Sequence, residues 1–343
     1  MPATITSISP AWVVPGGWVA IDGQRFPLPA DGPPRVRIGA DDVQVVSASA
    51  DRIRAIVSAA SEGGQMAVRL QDLSSPMAEL QVARTLTTGV HQVDSPAFDR
   101  DGRLYVTHSG GRDTKVAIPL YRLDHEGVRE PIAADIGNPT SLALGPDGAM
   151  YVTSRFEGHV YRLLADDRAE LYATELGVPT GLAFGPDGTL YVGDRSGSIL
   201  RVNADRQVDV FATLPASVAA FHLAFGPDGV LYVTAPTLAT HDPVYKIGPD
   251  RLVDVLCDGF GRPQGLAFDS SGALFVVDAL AGASAVYQID PAAPRPTPML
   301  VVSGPTMIGI AFDPRGGMVL CSNETIWHLD VDKQPWRRPH GGD

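Results

Sequence analysis

One phrase recurs along this chain and restricts its architecture more than any other feature. "TSLALGPDGAMYV" begins at Thr140, "TGLAFGPDGTLYV" at Thr180, "AAFHLAFGPDGVLYV" at Ala219 and "QGLAFDSSGALFV" at Gln264. The turn glycine of the phrase falls at Gly102, Gly148, Gly188, Gly229, Gly272 and Gly316, so the spacings are 46, 40, 41, 43 and 44 residues. A β-type pattern with a period near 40–45 residues is the mark of propeller blades. Each unit parses alike. A short apolar run leads into a Pro-Asp-Gly type turn, where Asp bonds its own backbone and Gly takes a positive φ. An alternating strand follows, as in "TLYVGD", rich in the Tyr and Val that suit a pleated, half-buried surface. Third strands ("HVYRLL", "SILRVN", "TIWHLD") and fourth strands ("ELYATEL", "VDVFATL", "PMLVVSG") complete the units.

Six such units predict a six-bladed β-propeller over residues 80–332. The last unit stops after "TIWHLD" (325–330), and the tail 333–343 is polar and rich in Pro and Gly. An open blade exposes unpaired strand edges, so the segment 80–87, "LQVARTLT", is expected to close the ring. Residues 1–79 lack the phrase. Their short alternating strands, broken by Gly, Pro and Asp clusters, predict a small β-sandwich. The fold class is therefore all-β: an immunoglobulin-like β-sandwich followed by the propeller.

Composition narrows the function. Hydrophobic residues make up 44 % and charged ones 19 %, as in a folded globular chain. A net charge of −12 with no basic cluster argues against a nucleic-acid partner. No apolar run reaches the length of a membrane span. The first residues, "MPATITSISP", carry neither a basic head nor an apolar signal core, so the default location is cytoplasmic, or secreted if a leader has been removed. Cys257 and Cys321 each sit in an apolar run and read as buried free thiols. No Ser-His-Asp order, nucleotide-binding glycine loop or zinc spacing is visible.

In a propeller the segments entering the first strands, and the loops joining second to third strands, open on one face. There they bring together Asp94, Thr180, Phe221, His222 and Gln264 from the entries, and His108, Arg155, Asp194 and Asp278 from the rim. A concave mouth with a few converging polar groups is the expected small-molecule site. His222 stands out because other copies have Gly or Ser at its position. Three roles fit it: a donor to a backbone carbonyl in a wet channel, a general base or ligand contact, or a metal ligand with Asp94. Arg155 and Arg195 are candidates for holding an anionic group, or for ordinary rim ion pairs. The loop 236–243, "PTLATHDP", reads either as a lid or as a plain surface loop.

Two resemblances add to this reading. Ile5, Ile8, Pro10, Pro15, Gly16, Gly17, Gly23 and Phe26 resemble the pattern of the IPT/TIG immunoglobulin-like family, whose domains serve as spacers or interaction modules. This implies a protein contact through the N-terminal sandwich. The phrase best preserved at 181–192 resembles NHL-like repeats and the senescence marker protein/gluconolactonase superfamily. That resemblance implies a hydrolase of small lactones or esters acting at the mouth, and the residues placed there offer Asp94 and His222 as its catalytic pair. Substrate contacts would then come from His108, Arg155, Thr180, Asp194, Phe221, Gln264 and Asp278. It also implies one divalent cation, usually calcium, with Asp94 as its ligand. The other ligand positions of the family hold Thr180, Phe221 and Gln264 here, and a hard cation wants several oxygens, preferably charged. The alternative is a non-catalytic propeller that binds a small ligand or a protein partner.

Overall fold

A computed structural model describes residues 3–70, 78–91, 94–110 and 115–335. The tail expected over 333–343 lies outside the described residues from 336 onward. The described residues form β-strands and connecting turns, with no helix among them.

The Pro-Asp-Gly turns fold as their chemistry demands. Asp147 Oδ1 accepts from the amide of Ala149 at 3.1 Å, and Asp187 Oδ1 from that of Thr189 at 3.0 Å. Gly148 and Gly188 both sit at φ +83, a conformation that disfavours any side chain. Each turn joins a unit's first strand to its second in antiparallel register, for example Leu142↔Val152 and Leu182↔Val192.

Five four-stranded sheets arise in this way. Four are continuous in sequence and lie within 97–132, 139–173, 179–213 and 222–260. The fifth joins strands Gly309–Phe312, Met318–Cys321 and Thr325–Leu329 to strand Arg84–Thr88, with Thr325 opposite Thr88 and His328 opposite Arg84. The strand adjoining this unit begins at Arg84, whereas residues 80–82, expected in it, belong to strand Ala78–Val82 and pair with Gly64–Leu70. The alternation explains the difference. Leu80 and Val82 are buried in the sandwich core beside Val68 and Leu70, and strand pairing follows whichever core takes the apolar face. Ala83 lies between the two strands, packed with Val14, Val302 and Met307.

The stretch 263–303 departs from the pattern of separate blades. Its four strands, Pro263–Phe268, Leu274–Asp278, Ala285–Ile289 and Met299–Ser303, form one end of a twelve-stranded sheet. The link is strand Trp12–Val13, which runs parallel to Met299–Ser303 on one side and to Ala78–Val82 on the other. The backbones approach closely here. A Cβ on Gly17 would lie 2.6 Å from the carbonyl oxygen of Ser303, so only glycine fits. The Ser303 hydroxyl donates to the carbonyl of Trp18, and the Val14 amide to that of Ser303. The N-terminal sandwich is thus fused edge to edge with one propeller unit.

Apolar clusters fill the gaps between successive units. Phe221, Leu223, Tyr191 and Ile199 form one such cluster, and Phe260, Leu266, Tyr232 and Val244 another. The tail also packs on the ring. Lys333 Nζ donates to Asp269 at 2.7 Å, and the Gly317 amide to the Lys333 carbonyl at 2.7 Å.

Candidate functional site

The first strands converge on the axis, and their closest approaches decide which residue types fit there. Cβ atoms on Gly181, Gly265 and Gly309 would lie 2.5, 2.6 and 2.5 Å from the carbonyl oxygens of Phe221, Ile308 and Asp94 in the following units. Small residues recur in this slot because the neighbouring backbone occupies the space of a side chain.

His222 fills the same slot and reaches from its own unit to the first one. Its Nδ1 is 3.3 Å from the Ser95 hydroxyl, and its Nε2 is 3.3 Å from Gln264 Oε1 and 3.4 Å from Asp94 Oδ1. Nε2 faces oxygen acceptors, so in the neutral ring it carries the proton. Nδ1 is then left to accept from the Ser95 hydroxyl. The imidazole is only 4 % exposed. Together with Asp94, Ser95 and Gln264 it forms a polar partition between two cavities.

On the entry face lies a cavity of about 750 Å³ bordered by Asp94, Gln264, Thr140, Thr180, Asn323, Arg155, Arg195 and Arg262. Three guanidinium groups against one carboxylate make this mouth cationic. Burial pulls the Arg155 guanidinium below its usual range; the Asp94 charge opposes that and Arg195 reinforces it. The Thr140 hydroxyl is buried at this mouth without a hydrogen-bond partner among the described residues. Val218, Ala239, Ala281, Leu280 and Leu238 add apolar surface to its lining, and Leu238 is 92 % exposed.

On the turn face lies a funnel of about 1040 Å³. Asp94 borders both cavities, but His222 and Ser95 border only the funnel. The expectation that Asp94 and His222 share the entry-face mouth therefore gives way to a different arrangement. The pair is in contact, and its histidine opens toward the opposite face.

The remaining expected contacts divide clearly. Arg155, Thr180 and Gln264 border the mouth. Phe221 does not: it is fully buried between Gly193 and Leu223 in the inter-unit core. Asp194 accepts from the Val178 amide at 2.7 Å, and Asp278 from the amides of Gly261 and Arg262 at 3.0 and 2.6 Å. Each of these carboxylates caps the segment entering the first strand of its own unit, so its oxygens are used within the fold. His108 is likewise held in the first unit, with Nδ1 2.9 Å from the Ile118 carbonyl and its ring 5.6 Å from that of Tyr121. Arg262 and Ser95 carry no signal in the repeat phrase. Arg262 lies just before the phrase, and Ser95 falls where other copies also have small residues.

A divalent cation fits this mouth poorly. Among the described residues Asp94 is the one carboxylate bordering it, and the guanidinium groups of Arg155, Arg195 and Arg262 border it too. Among the described residues no three His, Cys, Asp or Glu side chains gather as a metal-holding group.

Comparisons with known proteins agree with this architecture. Residues 3–78 match the IPT/TIG domain family, and residues 170–202 match the family described as strictosidine synthase-like, N-terminal. No curated protein matches the chain. Among solved structures, an auxiliary nutrient binding protein from Bacteroides thetaiotaomicron is similar over 97 % of this chain and 98 % of its own, with 14 % identity and a TM-score of 0.56. A gluconolactonase from Xanthomonas campestris is similar over 72 % of this chain and 89 % of its own, at 17 % identity and a TM-score of 0.59. Virginiamycin B lyase from Staphylococcus aureus matches over 73 % and 98 %, at 14 % identity and a TM-score of 0.52. At these identities the likeness defines the fold. The chain is a β-propeller joined to an N-terminal IPT/TIG domain.

Proposed function

We propose that this protein is a ligand-binding propeller that holds a small organic anion in its entry-face mouth. The observation that carries the reading is the convergence of Arg155, Arg195 and Arg262 on one concave mouth, with Asp94 the one carboxylate bordering it among the described residues, in a chain of net charge −12. Clustering cations in an acidic protein costs self-repulsion and desolvation unless an anion relieves it. A guanidinium offers a planar fork of donors matched to carboxylate or phosphate. The buried Thr140 hydroxyl adds a donor, and Gln264 and Asn323 offer donors and acceptors for further polar groups of the ligand. The apolar surface of Leu238 and Leu280 favours a carbon skeleton attached to the anion.

In this reading the four strands of 263–303 count as a blade, so that the ring has six. The neighbour described as an auxiliary nutrient binding protein supports a binding role, because its likeness extends over both domains. The gluconolactonase and lyase neighbours support an enzymatic alternative, lactone or ester hydrolysis. The contact between His222 and Asp94 favours that alternative.

Titration calorimetry with a panel of small carboxylates and phosphate monoesters tests the binding reading. At least one should bind, and Arg155→Ala or Arg195→Ala should weaken it about tenfold or more, roughly 1.4 kcal/mol. Unchanged affinity in both variants, or no binding across the panel, overturns it. A lactone and aryl-ester panel, run with and without divalent metals, tests the alternative.

A further inference from the structure

The funnel on the turn face has a chemistry of its own. Its wall repeats one position of the phrase: Phe98, Phe184, Phe225, Phe268 and Phe312 all border it, with Leu144 in the remaining unit. Edge-to-face contacts hold four of these rings in place, with centroids 4.9 Å apart for Tyr151 and Phe184, 5.0 Å for Tyr191 and Phe225, and 5.1 Å both for Tyr232 and Phe268 and for Phe275 and Phe312. The funnel is thus a preformed chamber with an aromatic wall, also bordered by Asp99 and Arg100, and at about 1040 Å³ it has the volume of a drug-sized ligand site.

Its inner end is polar. Ser95, His222 and Asp94 meet there in a connected series: hydroxyl to Nδ1 at 3.3 Å, then Nε2 to carboxylate at 3.4 Å. The tautomer fixed by Asp94 and Gln264 turns the basic nitrogen toward the serine. These are the relations of a nucleophile, its base and the group that orients the base, recognised by geometry and not by order in the chain. In the sequence they are hidden, because Asp94 and Ser95 are adjacent and His222 comes 127 residues after Ser95.

We propose that Ser95 is an acyl-accepting nucleophile, with His222 as its base and Asp94 as the positioning carboxylate, acting on esters of hydrophobic acids that enter through the turn-face funnel. Ser95 Oγ bonds to the ester carbonyl carbon as its proton passes to His222 Nδ1. The C–O bond to the alcohol then breaks, and the alcohol leaves with that proton. Water attacks the acyl-serine, gives a proton to Nδ1 and releases the carboxylic acid, and the proton returns to Ser95. The net reaction is ester plus water to acid plus alcohol. Charge on the imidazolium is balanced by Asp94. The apolar wall takes the acyl chain, so the site selects for hydrophobic acids. It opens on the opposite side of the partition from the arginine-lined mouth, with Asp94 bordering both cavities.

A fluorophosphonate probe and a series of 4-nitrophenyl esters, acetate to octanoate, test the proposal on the whole protein. Mass spectrometry should locate one phosphonyl adduct on Ser95. Octanoate should be cleaved with a higher kcat/KM than acetate. Ser95→Ala should abolish labelling and lower turnover about a hundredfold or more while remaining folded. Asp94→Asn should lower turnover as well. Absence of an adduct on Ser95, or wild-type hydrolysis by a folded Ser95→Ala variant, overturns the assignment. The ester series contains no anionic ligand, so its failure leaves the reading of the mouth standing.

Discussion

Replacing His222 by glycine restores the residue that two other copies of the phrase carry, and from the sequence alone such a change costs little. The structure predicts otherwise. The imidazole is 4 % exposed and bonded at both nitrogens. Its loss removes two hydrogen bonds worth about 1 kcal/mol each. Glycine adds about 0.5–1 kcal/mol of backbone entropy to be lost on folding. The space left behind opens into the funnel, where water can enter and satisfy Ser95 and Gln264, so the full penalty of orphaned buried groups does not apply. The expected loss is about 2–3 kcal/mol. For a domain of this size that lowers Tm by roughly 4–10 °C. Reversible urea unfolding followed by tryptophan fluorescence gives the free energy, and a thermal scan gives the shift. His222→Gln should recover part of the loss, because its amide can still bridge toward Ser95 or Gln264. A glycine variant within about 0.5 kcal/mol of wild type would show that the bridge across the axis contributes nothing, and the partition described here would be a coincidence of packing.

Three further outcomes follow from the packing and the charges. Phe221→Ala should cost about 3–5 kcal/mol, because the ring is fully buried against Gly193 and Leu223; retained stability in chemical denaturation would contradict its place in the core. Deleting residues 84–88 should unfold the ring cooperatively, since Thr325–Leu329 would lose its outer partner; an unchanged melting curve would refute the closure. Burial works to raise the Asp313 carboxyl, but hydrogen bonds from His328 and Arg315 outweigh it and hold it at about 2, below its ordinary 3.8. A carboxyl held low in the folded state stabilises above its unfolded value, and that contribution fades as pH falls from 3.8 toward 2. Asp313→Asn should therefore lose on the order of 1–2 kcal/mol at pH 7 and less at pH 2; equal losses at both pH values in urea titrations would oppose this.

Much of the fold is legible in the phrase, because its turn, its alternation and its period all report local physics. The Asp-Gly turn needs its side-chain bond and its positive φ wherever it occurs, and the apolar run needs a neighbouring unit to cover it. The site is less legible. Asp94, Arg155, Thr180 and Gln264 can be placed at the mouth by counting positions within the unit. Asp194 and Asp278 look the same by that count, yet they cap backbone amides. A carboxylate at the end of a second strand is oriented by the turn that follows, and the phrase carries no record of that orientation. Phe221 precedes His222 by one residue, and alternation along a strand sends neighbours to opposite sides. One enters the core between units and the other enters the axis. The closing strand expected over 80–87 starts instead at Arg84 for a related reason: one run of β-forming residues supplies strands to two sheets, and only the packing of Leu80 and Val82 tells where the first ends.

The strand Trp12–Val13 has a mechanical consequence. Held in parallel register between Ala78–Val82 and Met299–Ser303, it leaves no swivel between sandwich and ring. A load applied to the sandwich is carried in shear across its hydrogen bonds, straight into the unit whose entry carries Arg262 and Gln264. The N-terminal domain behaves as a rigid handle on the propeller. Whatever grips it will hold the mouth and the funnel at a fixed angle to itself.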